Sequence, residues 1–513
     1  MTAAPPPSDR WNLNVPTGVG FALRVYILLS LMLLVPSFLG FTTEGPLRYL
    51  PSAAAAALVV IAYFFWKAEA LLSFALFVLF YETLVRWMGV NIKQVDEIAV
   101  PALVVVAGIP ALFRWREWFW WPRDVAIAVA VLAGLVSTLI QGVPIQVWLP
   151  ALVLIGKGIA FFYVAMWTGA REWELRAGMV IGLAIGIVVM ALSFVELLDP
   201  IAFQHAFNVQ EFYRPRGSLP SLKSLFFHPV MFAWFTAFVA LYLYAHFALT
   251  RRWWAFALAF IFSLGPFLAA RRRAMLALLA GIAAGVARTG LNDRSWRTTV
   301  RQWVPTAVGV VVIFVMFLPG ITGLYQYTID RYLPPVSTPA PSGVPIPGEE
   351  FPGVEGVGNT QVRIALYGGA VRIAADKYPL GAGFGRYGSW MSRVEYSPVY
   401  AEYGLSGVRG LRPRNPVNVT DTFWPQILGE LGVIGFVAYA GFMGSLGWIL
   451  WKLARDTQES VTVRVFRLGT GMVLVQALVE SLASPMFHSP PRAYLLFLVV
   501  GLVAAGWRPR RIE

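Results

Sequence analysis

Long apolar stretches separated by short polar loops recur along most of the chain. A hydrocarbon core of about 30 Å requires about 20 apolar residues in a helix, and about fourteen segments approach this length. The pattern therefore predicts an all-α polytopic membrane protein with about 12–14 transmembrane helices. The predicted segments run near Gly20–Gly40, Tyr49–Trp66, Leu71–Met88, Ile98–Phe113, Val125–Gln141, Val147–Thr168, Leu175–Leu198, Ser224–Leu249, Trp253–Ala270, Ala274–Ala287, Trp303–Pro319, Thr422–Trp451, Val463–Ala483 and Ala493–Trp507.

One long polar stretch interrupts this pattern and divides the chain into three parts. We expect an N-terminal transmembrane bundle over residues 1–319, a large outer loop over 320–421 and C-terminal transmembrane helices over 422–513. The first part of the loop, Leu333–Gly358, is rich in proline and glycine and is expected to be irregular.

The loop also contains a helical pattern. Val362, Leu366, Ala370 and Ile373 recur at helical spacing, which predicts a surface or interface helix over residues 359–377. Asn359 or Thr360 is a candidate cap, and Pro379 is expected to end the helix. The glycines that follow are interpreted as a tight turn, because the strand that a nucleotide-binding glycine motif requires does not precede them.

Composition narrows the chemistry. The chain is 58% hydrophobic and contains no cysteine, which excludes disulfides, thiolate zinc sites and thiol catalysis. The four histidines show no metal-ligand spacing. No metal or other cofactor is therefore expected.

The basic residues indicate topology rather than nucleic-acid binding. The formal net charge is +14, but most of the cations lie in short loops between apolar segments. When the segments alternate from a cytoplasmic N-terminus, most of these loops fall on the cytoplasmic side, as the positive-inside rule requires. Both termini are then cytoplasmic, and the lipid bilayer is the expected environment.

An arginine triplet breaks this rule. Arg271, Arg272 and Arg273 lie between two apolar segments and fall on the outer side. Three guanidinium groups at a membrane boundary are costly unless an anion neutralises them. The triplet therefore predicts an anionic ligand at the outer face.

Five further residues of the C-terminal half are candidates for a site. Arg363 and Tyr367 share one face of the predicted loop helix, whereas Arg372 points roughly the opposite way. Asp421 precedes an apolar segment and is either a helix N-cap or a general base at the outer membrane edge. Glu430 lies at membrane depth, where an ionisable group is either functional or paired with an arginine.

Several stretches, covering roughly Arg214 to Gly435, resemble the O-antigen ligase and O-antigen polymerase superfamily. Arg214-Pro-Arg216-Gly, followed by His228-Pro229, is similar to the family's R-x-x-G and H-P segment. Arg271 to Leu279 looks like its S-R-G-A-x-L-A-L-L segment, with Arg272 at the family arginine, and Arg363 to Gly383 resembles its R-x-x-L-W and D-H-P-L-x-G-x-G signature. Asp421 to Gly435 is similar to H-N-x-Y-L-x-x-L-x-E-x-G-x-x-G.

The resemblance implies a GT-C type glycosyltransferase in the bacterial inner membrane, with its active site facing the periplasm. Such enzymes transfer a glycan from an undecaprenyl-pyrophosphate-linked donor to a glycan acceptor without a metal, and a chain-length regulator or a flippase is a candidate partner. Ligases carry a histidine and an asparagine where this chain has Asp421 and Thr422. This departure favours a polymerase that joins lipid-linked repeat units over a ligase.

The resemblance also implies roles for residues. Arg272 and Arg363 are expected to stabilise the pyrophosphate leaving group, and Asp421 to activate the acceptor hydroxyl. The expected substrate-binding residues are Arg271, Arg273, Arg214, Arg216, Tyr367, Arg372, Glu430 and His228. A ligase, and a transporter or flippase from a different class, remain the alternatives.

Overall fold

The computed structural model describes residues 15–39, 49–88, 92, 94–114, 119, 121–207, 219–290, 303–313, 315, 317, 358–456 and 458–507. These residues are almost entirely helical, and the bridge between Arg412 and Asn415 is isolated rather than part of a strand. Lipid offers no hydrogen-bond partners to the backbone, so a spanning segment must satisfy its amides internally. The helical fold follows from the apolar sequence.

The helices of the first part are α1 (Val15–Leu39), α2 (Leu50–Phe65), α3 (Lys67–Met88), α4 (Val95–Leu112), α5 (Trp121–Ile140), α6 (Ile145–Thr168), α7 (Glu172–Leu198), α8 (Pro200–Ala206), α9 (Pro229–Thr250), α10 (Trp253–Ser263), α11 (Gly265–Leu268), α12 (Arg272–Gly290) and α13 (Trp303–Ile313). Those of the remainder are α14 (Gly358–Asp376), α15 (Trp390–Val394), α16 (Val399–Glu402), α17 (Trp424–Leu453), α18 (Val461–Ser481) and α19 (Pro490–Ala504), with a 3₁₀ turn at Leu405–Gly407.

The predicted membrane segments coincide with helices. In the described part of the chain, nine helices are long and apolar enough to cross a membrane, and four shorter apolar helices accompany them. Each predicted segment overlaps one of these helices or α3, with ends that differ by a few residues. The all-α polytopic prediction is confirmed at this level.

The N-terminal and C-terminal helices share one hydrophobic core. That core extends from Phe21 in α1 to Ala504 in α19. Helix α9 lies at its centre, because 89% of its apolar window is buried inside the protein. Helix α19 packs between α3 and α6, and α17 packs along α5. The parts before and after the outer loop therefore form a single bundle.

A buried ion pair joins three of these helices. Lys157 in α6 donates from Nζ to Asp96 Oδ2 at 2.5 Å, and Tyr494 in α19 donates to the same oxygen at 3.0 Å. Charges at membrane depth are tolerated when they face the interior and pair with one another. This triad fixes α4, α6 and α19 at one level of the bundle.

The described part of the predicted outer loop, residues 358–423, which we call the outer segment, has a small core of its own. One face of α14 is fully buried, and it packs against Tyr387, Tyr400 and Val419. The predicted helix is confirmed, with observed bounds of 358–376. Its predicted cap side chains and the proline-rich stretch before residue 358 lie outside what the structure describes.

Residues 379–388 insert the loop into the bundle. The Ser137 hydroxyl of α5 donates to Gly381 O at 2.5 Å and accepts from Gly381 N, while Phe384 N donates to Thr138 Oγ1 at 2.9 Å. The predicted glycine turn is confirmed, since Gly383 adopts a φ of +88°. The helix it meets, α17, is itself interrupted by Gly432, where φ is +72° and the Leu380 backbone packs where a side chain would lie.

Candidate active site

A sharp reversal of the chain presents the arginine triplet. Helix α11 ends at Leu268, Ala270 adopts a left-handed conformation with φ of +53°, and Arg271 N donates back to Pro266 O at 3.0 Å. A non-glycine residue in this conformation costs roughly 1–2 kcal/mol. Helix α12 then begins at Arg272, so the triplet lies at a helix N-terminus, where the backbone dipole already favours an anion over a cation.

Arg273 is the member of the triplet that faces the outer segment. Its Nη1 donates to Ala483 O, in the turn between α18 and α19, at 2.6 Å. Its charge interacts with those of four residues from other elements, namely Arg492, Glu480, Arg363 and Asp421. We call Arg273 and these four residues the charged cluster. The side chain of Arg272, by contrast, is exposed.

Arg363 and Asp421 form the outer half of the charged cluster. Arg363 Nη2 lies 3.6 Å from Asp421 Oδ2, and both side chains are about one quarter exposed. Burial raises the pKa of the Asp421 carboxyl above its ordinary value, and the positive charges of Arg363 and Arg273 lower it only in part. The carboxylate is therefore more basic than an ordinary aspartate.

Asp421 is not a helix cap. The cap position of α17 is occupied by Phe423, and no side-chain hydrogen bond caps this helix. The alternative reading of Asp421 as an N-cap is thus wrong, because two residues separate it from the first helical residue, Trp424. Its side chain instead points towards an arginine on α14.

Glu480 and Arg492 form the inner half of the charged cluster. Arg492 Nη1 lies 3.6 Å from Glu480 Oε2, and both side chains are buried. Gln476 lies one turn before Glu480, and its Nε2 is 3.5 Å from Glu480 Oε1. Sequence reasoning missed this pair, although an acid and a base within apolar helices are a signal for function in their own right.

Several polar atoms of the charged cluster lack hydrogen-bond partners among the described residues. They are Arg363 Nε, Asp421 Oδ2, Glu480 Oε2, and Nε and Nη1 of Arg492. Both ion pairs are 3.6 Å long, which exceeds the length of a hydrogen bond. Buried polar atoms in proteins are normally bonded, so unsatisfied donors and acceptors grouped in one place make the charged cluster a candidate binding site for a polar ligand.

The turn between α18 and α19 is where the helices around the cluster meet. Tyr367 on α14 donates its hydroxyl to Leu482 O at 2.8 Å, next to the carbonyl that holds Arg273. His488, in the same turn, packs against the Phe423 ring. Burial, with the nearby cations Arg492 and Lys157, lowers the pKa of His488 to about 3, so its imidazole is neutral at physiological pH.

Other predicted site residues lie apart from the cluster. Glu430 accepts hydrogen bonds from Tyr387 N and from Gln426 Nε2, so it anchors the outer segment instead of pairing with an arginine. His228 caps α9, with Nδ1 accepting from Val230 N at 3.1 Å. Arg372 is exposed.

The other arginines predicted to bind substrate are Arg271, Arg214 and Arg216. Arg271 lies beside the cluster and is half-buried, in contrast to its exposed neighbour Arg272. Arg214 and Arg216 lie outside the described residues. The structure thus brings together two of the three residues predicted to be catalytic, Arg363 and Asp421, and adds Arg273 in place of Arg272.

The fold and the cluster define a polytopic α-helical membrane protein with a charged site at one end of its helix bundle. No model of a known protein family matches the chain. No curated protein matches it either.

Proposed function

We propose that this protein is a membrane glycosyltransferase that polymerises lipid-linked glycan repeat units at the outer face of the bacterial inner membrane. The donor is a glycan on polyprenyl pyrophosphate, and the acceptor is a sugar hydroxyl of a second lipid-linked unit. The observation that carries the proposal is the meeting of Arg273, Arg363 and Asp421, from three distant segments, at one end of the bundle.

The arginines suit a pyrophosphate leaving group. The charged cluster holds three guanidinium groups against two carboxylates, so it retains positive charge when every group is ionised. Planar guanidinium groups bind phosphate oxygens through paired hydrogen bonds. In this proposal Arg273 and Arg363 bind the pyrophosphate and stabilise the negative charge that grows as the bond to the sugar breaks.

Asp421 suits the role of general base. A base works best when its pKa lies near the operating pH, and burial moves this carboxyl in that direction. The acceptor hydroxyl attacks the anomeric carbon from the face opposite the pyrophosphate, and its proton passes to Asp421. The carbon–oxygen bond to the pyrophosphate breaks in the same step, which inverts the configuration at the anomeric carbon.

The 3.6 Å separation between Arg363 and Asp421 supports both roles. At this distance each group feels the other's charge without committing its hydrogen-bonding atoms. Arg363 therefore keeps donors for the pyrophosphate, and Asp421 keeps an acceptor for the hydroxyl proton. Bound pyrophosphate would also partly neutralise the positive charge of Arg363. The pKa of Asp421 would then rise, which makes its carboxylate a stronger base.

The decisive experiment is a product analysis with purified protein in liposomes that contain a lipid-linked repeat unit. A ladder of lengthening lipid-linked chains supports polymerisation. Transfer of one glycan to a terminal acceptor would instead identify a ligase. Movement of the lipid across the bilayer without a new glycosidic bond would refute enzymatic activity and favour a flippase.

A further inference from the structure

An apolar cavity lies at the end of the bundle opposite to the charged cluster. Its volume is about 160 Å³, and its lining comes from α1, α3, α7, α9, α10, α18 and α19. Helix α18 runs from one site to the other. Val465 near its start lines the cavity, and Glu480 near its end belongs to the cluster. At 1.5 Å per residue these two positions are about 22 Å apart.

The cavity extends through about half of a bilayer. Along α9 its lining runs from Phe235 to His246, a distance of about 16 Å at the helical rise. Half of a hydrocarbon core of about 30 Å is about 15 Å. The depth therefore matches a lipid chain from a single leaflet.

The cavity opens sideways towards the bilayer. Val180 of α7 and Trp254 of α10 both line it, and they are 47% and 43% exposed. Most of the lining is leucine, valine, methionine, phenylalanine, alanine and glycine, which offer few partners to water. The polar side chains of the lining are Glu174, Arg176, Tyr242, His246 and Trp254. Apolar side chains that face an empty cavity lack dispersion contacts on that side. A hydrocarbon chain in the cavity would supply these contacts.

Charge around the mouth favours an anionic head group. Two ion pairs lie there, Arg24 with Glu69, whose carboxylate is buried, and Arg176 with Glu172, a partly exposed pair one turn apart on α7. Arg176 also donates to Thr462, which brings the start of α18 to the mouth. Beyond these pairs, the described helix ends around the mouth carry three further carboxylates, Glu174, Asp456 and Glu459, of which the last two contact Arg467. The further cations there are Lys67, Arg171, Arg251, Arg252 and Arg464, so positive charge remains in excess.

We propose that the cavity binds one acyl chain of an anionic phospholipid, whose phosphate lies at the basic mouth near Arg176. Basic residues at a membrane surface attract anionic lipids. The site does not depend on glycosyl transfer, since it lies at the other end of the bundle. The lipid would stabilise the packing of α7 against α9 by filling the space between them.

Two glycines provide a matched test. A side chain at Gly182 would enter the cavity without meeting an atom within 4 Å, and one at the exposed Gly444 would also meet nothing. Gly182→Phe should therefore fill the cavity, while Gly444→Phe adds the same ring elsewhere in the membrane. Each full-length protein would be reconstituted in vesicles of phosphatidylglycerol and phosphatidylethanolamine, extracted in mild detergent and weighed by native mass spectrometry.

The wild type and Gly444→Phe should retain one phosphatidylglycerol, and Gly182→Phe should retain it at least about tenfold less. That factor corresponds to the loss of roughly two buried methylene groups. Arg176→Gln should keep a bound lipid but lose the preference for phosphatidylglycerol.

Three results would overturn the proposal. They are equal retention by Gly182→Phe and Gly444→Phe, no lipid preference in the wild type, or recovery of a polyisoprenyl phosphate instead of a phospholipid from the native membrane. If Gly182→Phe fails to fold, the lipid preference of the wild type and of Arg176→Gln still tests the proposal. A wild type that holds no phosphatidylglycerol refutes the site whatever the variants do.

Discussion

Arg363 Nη2 lies 3.6 Å from Asp421 Oδ2, although 57 positions separate the two residues in the chain. The contact joins the outer helix α14 to the segment that enters α17. A third residue, Arg273 at the start of α12, lies near enough for its charge to act on both. Three segments that are distant in sequence therefore contribute one charge each to a common site.

The arginine triplet gives the first test. Arg273→Ala should lower the rate of polymerisation by about 10²–10³, the effect of losing one donor that stabilises the transition state. Arg272→Ala should change the rate much less, because its side chain is exposed. Polymer length and initial rate would be measured with the reconstituted protein.

Arg393→Ala serves as the control for this comparison. Arg393 is also exposed and lies in the outer segment, outside the cluster. It should behave like the wild type. A large loss in Arg272→Ala with a normal Arg273→Ala would return the catalytic role to Arg272, as the sequence resemblance implied.

The second prediction concerns pH. Because the pKa of Asp421 is raised, its basic form is populated only at higher pH than for an ordinary aspartate. The rate should therefore rise with pH through this raised pKa and level off above it. Asp421→Asn should lower the plateau by about 10²–10⁴ and abolish this acid limb. An unchanged pH–rate profile in the variant would exclude Asp421 as the base.

The third prediction concerns the Glu430 anchor. Glu430→Ala leaves the Tyr387 amide without its acceptor, and an unsatisfied buried group costs about 1–3 kcal/mol. The segment 377–423 should then become more sensitive to limited proteolysis, and the melting temperature should fall. Glu430→Gln keeps an acceptor oxygen, so its protease sensitivity and melting temperature should lie between those of the wild type and Glu430→Ala. Equal protection of all three proteins would argue against an anchoring role.

The fourth prediction concerns the close approach of two backbones. A side chain at Gly381 would lie 2.6 Å from the carbonyl oxygens of Glu430 and Gly429, and backbone atoms cannot yield as a side chain can. Gly381→Ala should destabilise the protein by about 1–3 kcal/mol or more. Gly407→Ala, which meets nothing within 4 Å, is the matched control. Thermal unfolding in detergent should show a lower melting temperature for Gly381→Ala and an unchanged one for Gly407→Ala.

The fifth prediction concerns orientation in the membrane. The chain contains no cysteine, so single cysteines can be introduced without removing any. Arg393→Cys, in the outer segment, should react with a membrane-impermeant maleimide in intact spheroplasts. Gln458→Cys, between α17 and α18, should react only after permeabilisation. The reverse pattern would place the charged cluster on the cytoplasmic side and refute the proposed use of a periplasmic donor.

Much of the fold could be predicted because membrane helices depend on local properties. The length and hydropathy of a segment such as Glu172–Leu198 suffice to indicate a spanning helix. The buried face of α14 was equally predictable, since Val362 and Leu366 mark it by spacing alone. Both predictions need no knowledge of distant residues.

The site could be predicted only in part, because it depends on the direction of individual side chains. The sequence places Arg271, Arg272 and Arg273 within one turn, and successive residues on a helix point about 100° apart. Which of them faces Asp421 depends on the left-handed Ala270 that sets the start of α12. The partnership of Glu480 with Arg492 depends in turn on how α18 packs against α19.

The insertion of residues 379–388 between α5 and α17 has a consequence for protein engineering. Ser137 and Thr138 of α5, together with the break at Gly432, form a socket fitted to that one stretch of backbone. An outer loop grafted from another protein would carry its own stretch but not this socket. Chimaeras that exchange substrate preference should therefore transfer the loop and its socket together, as a single cassette.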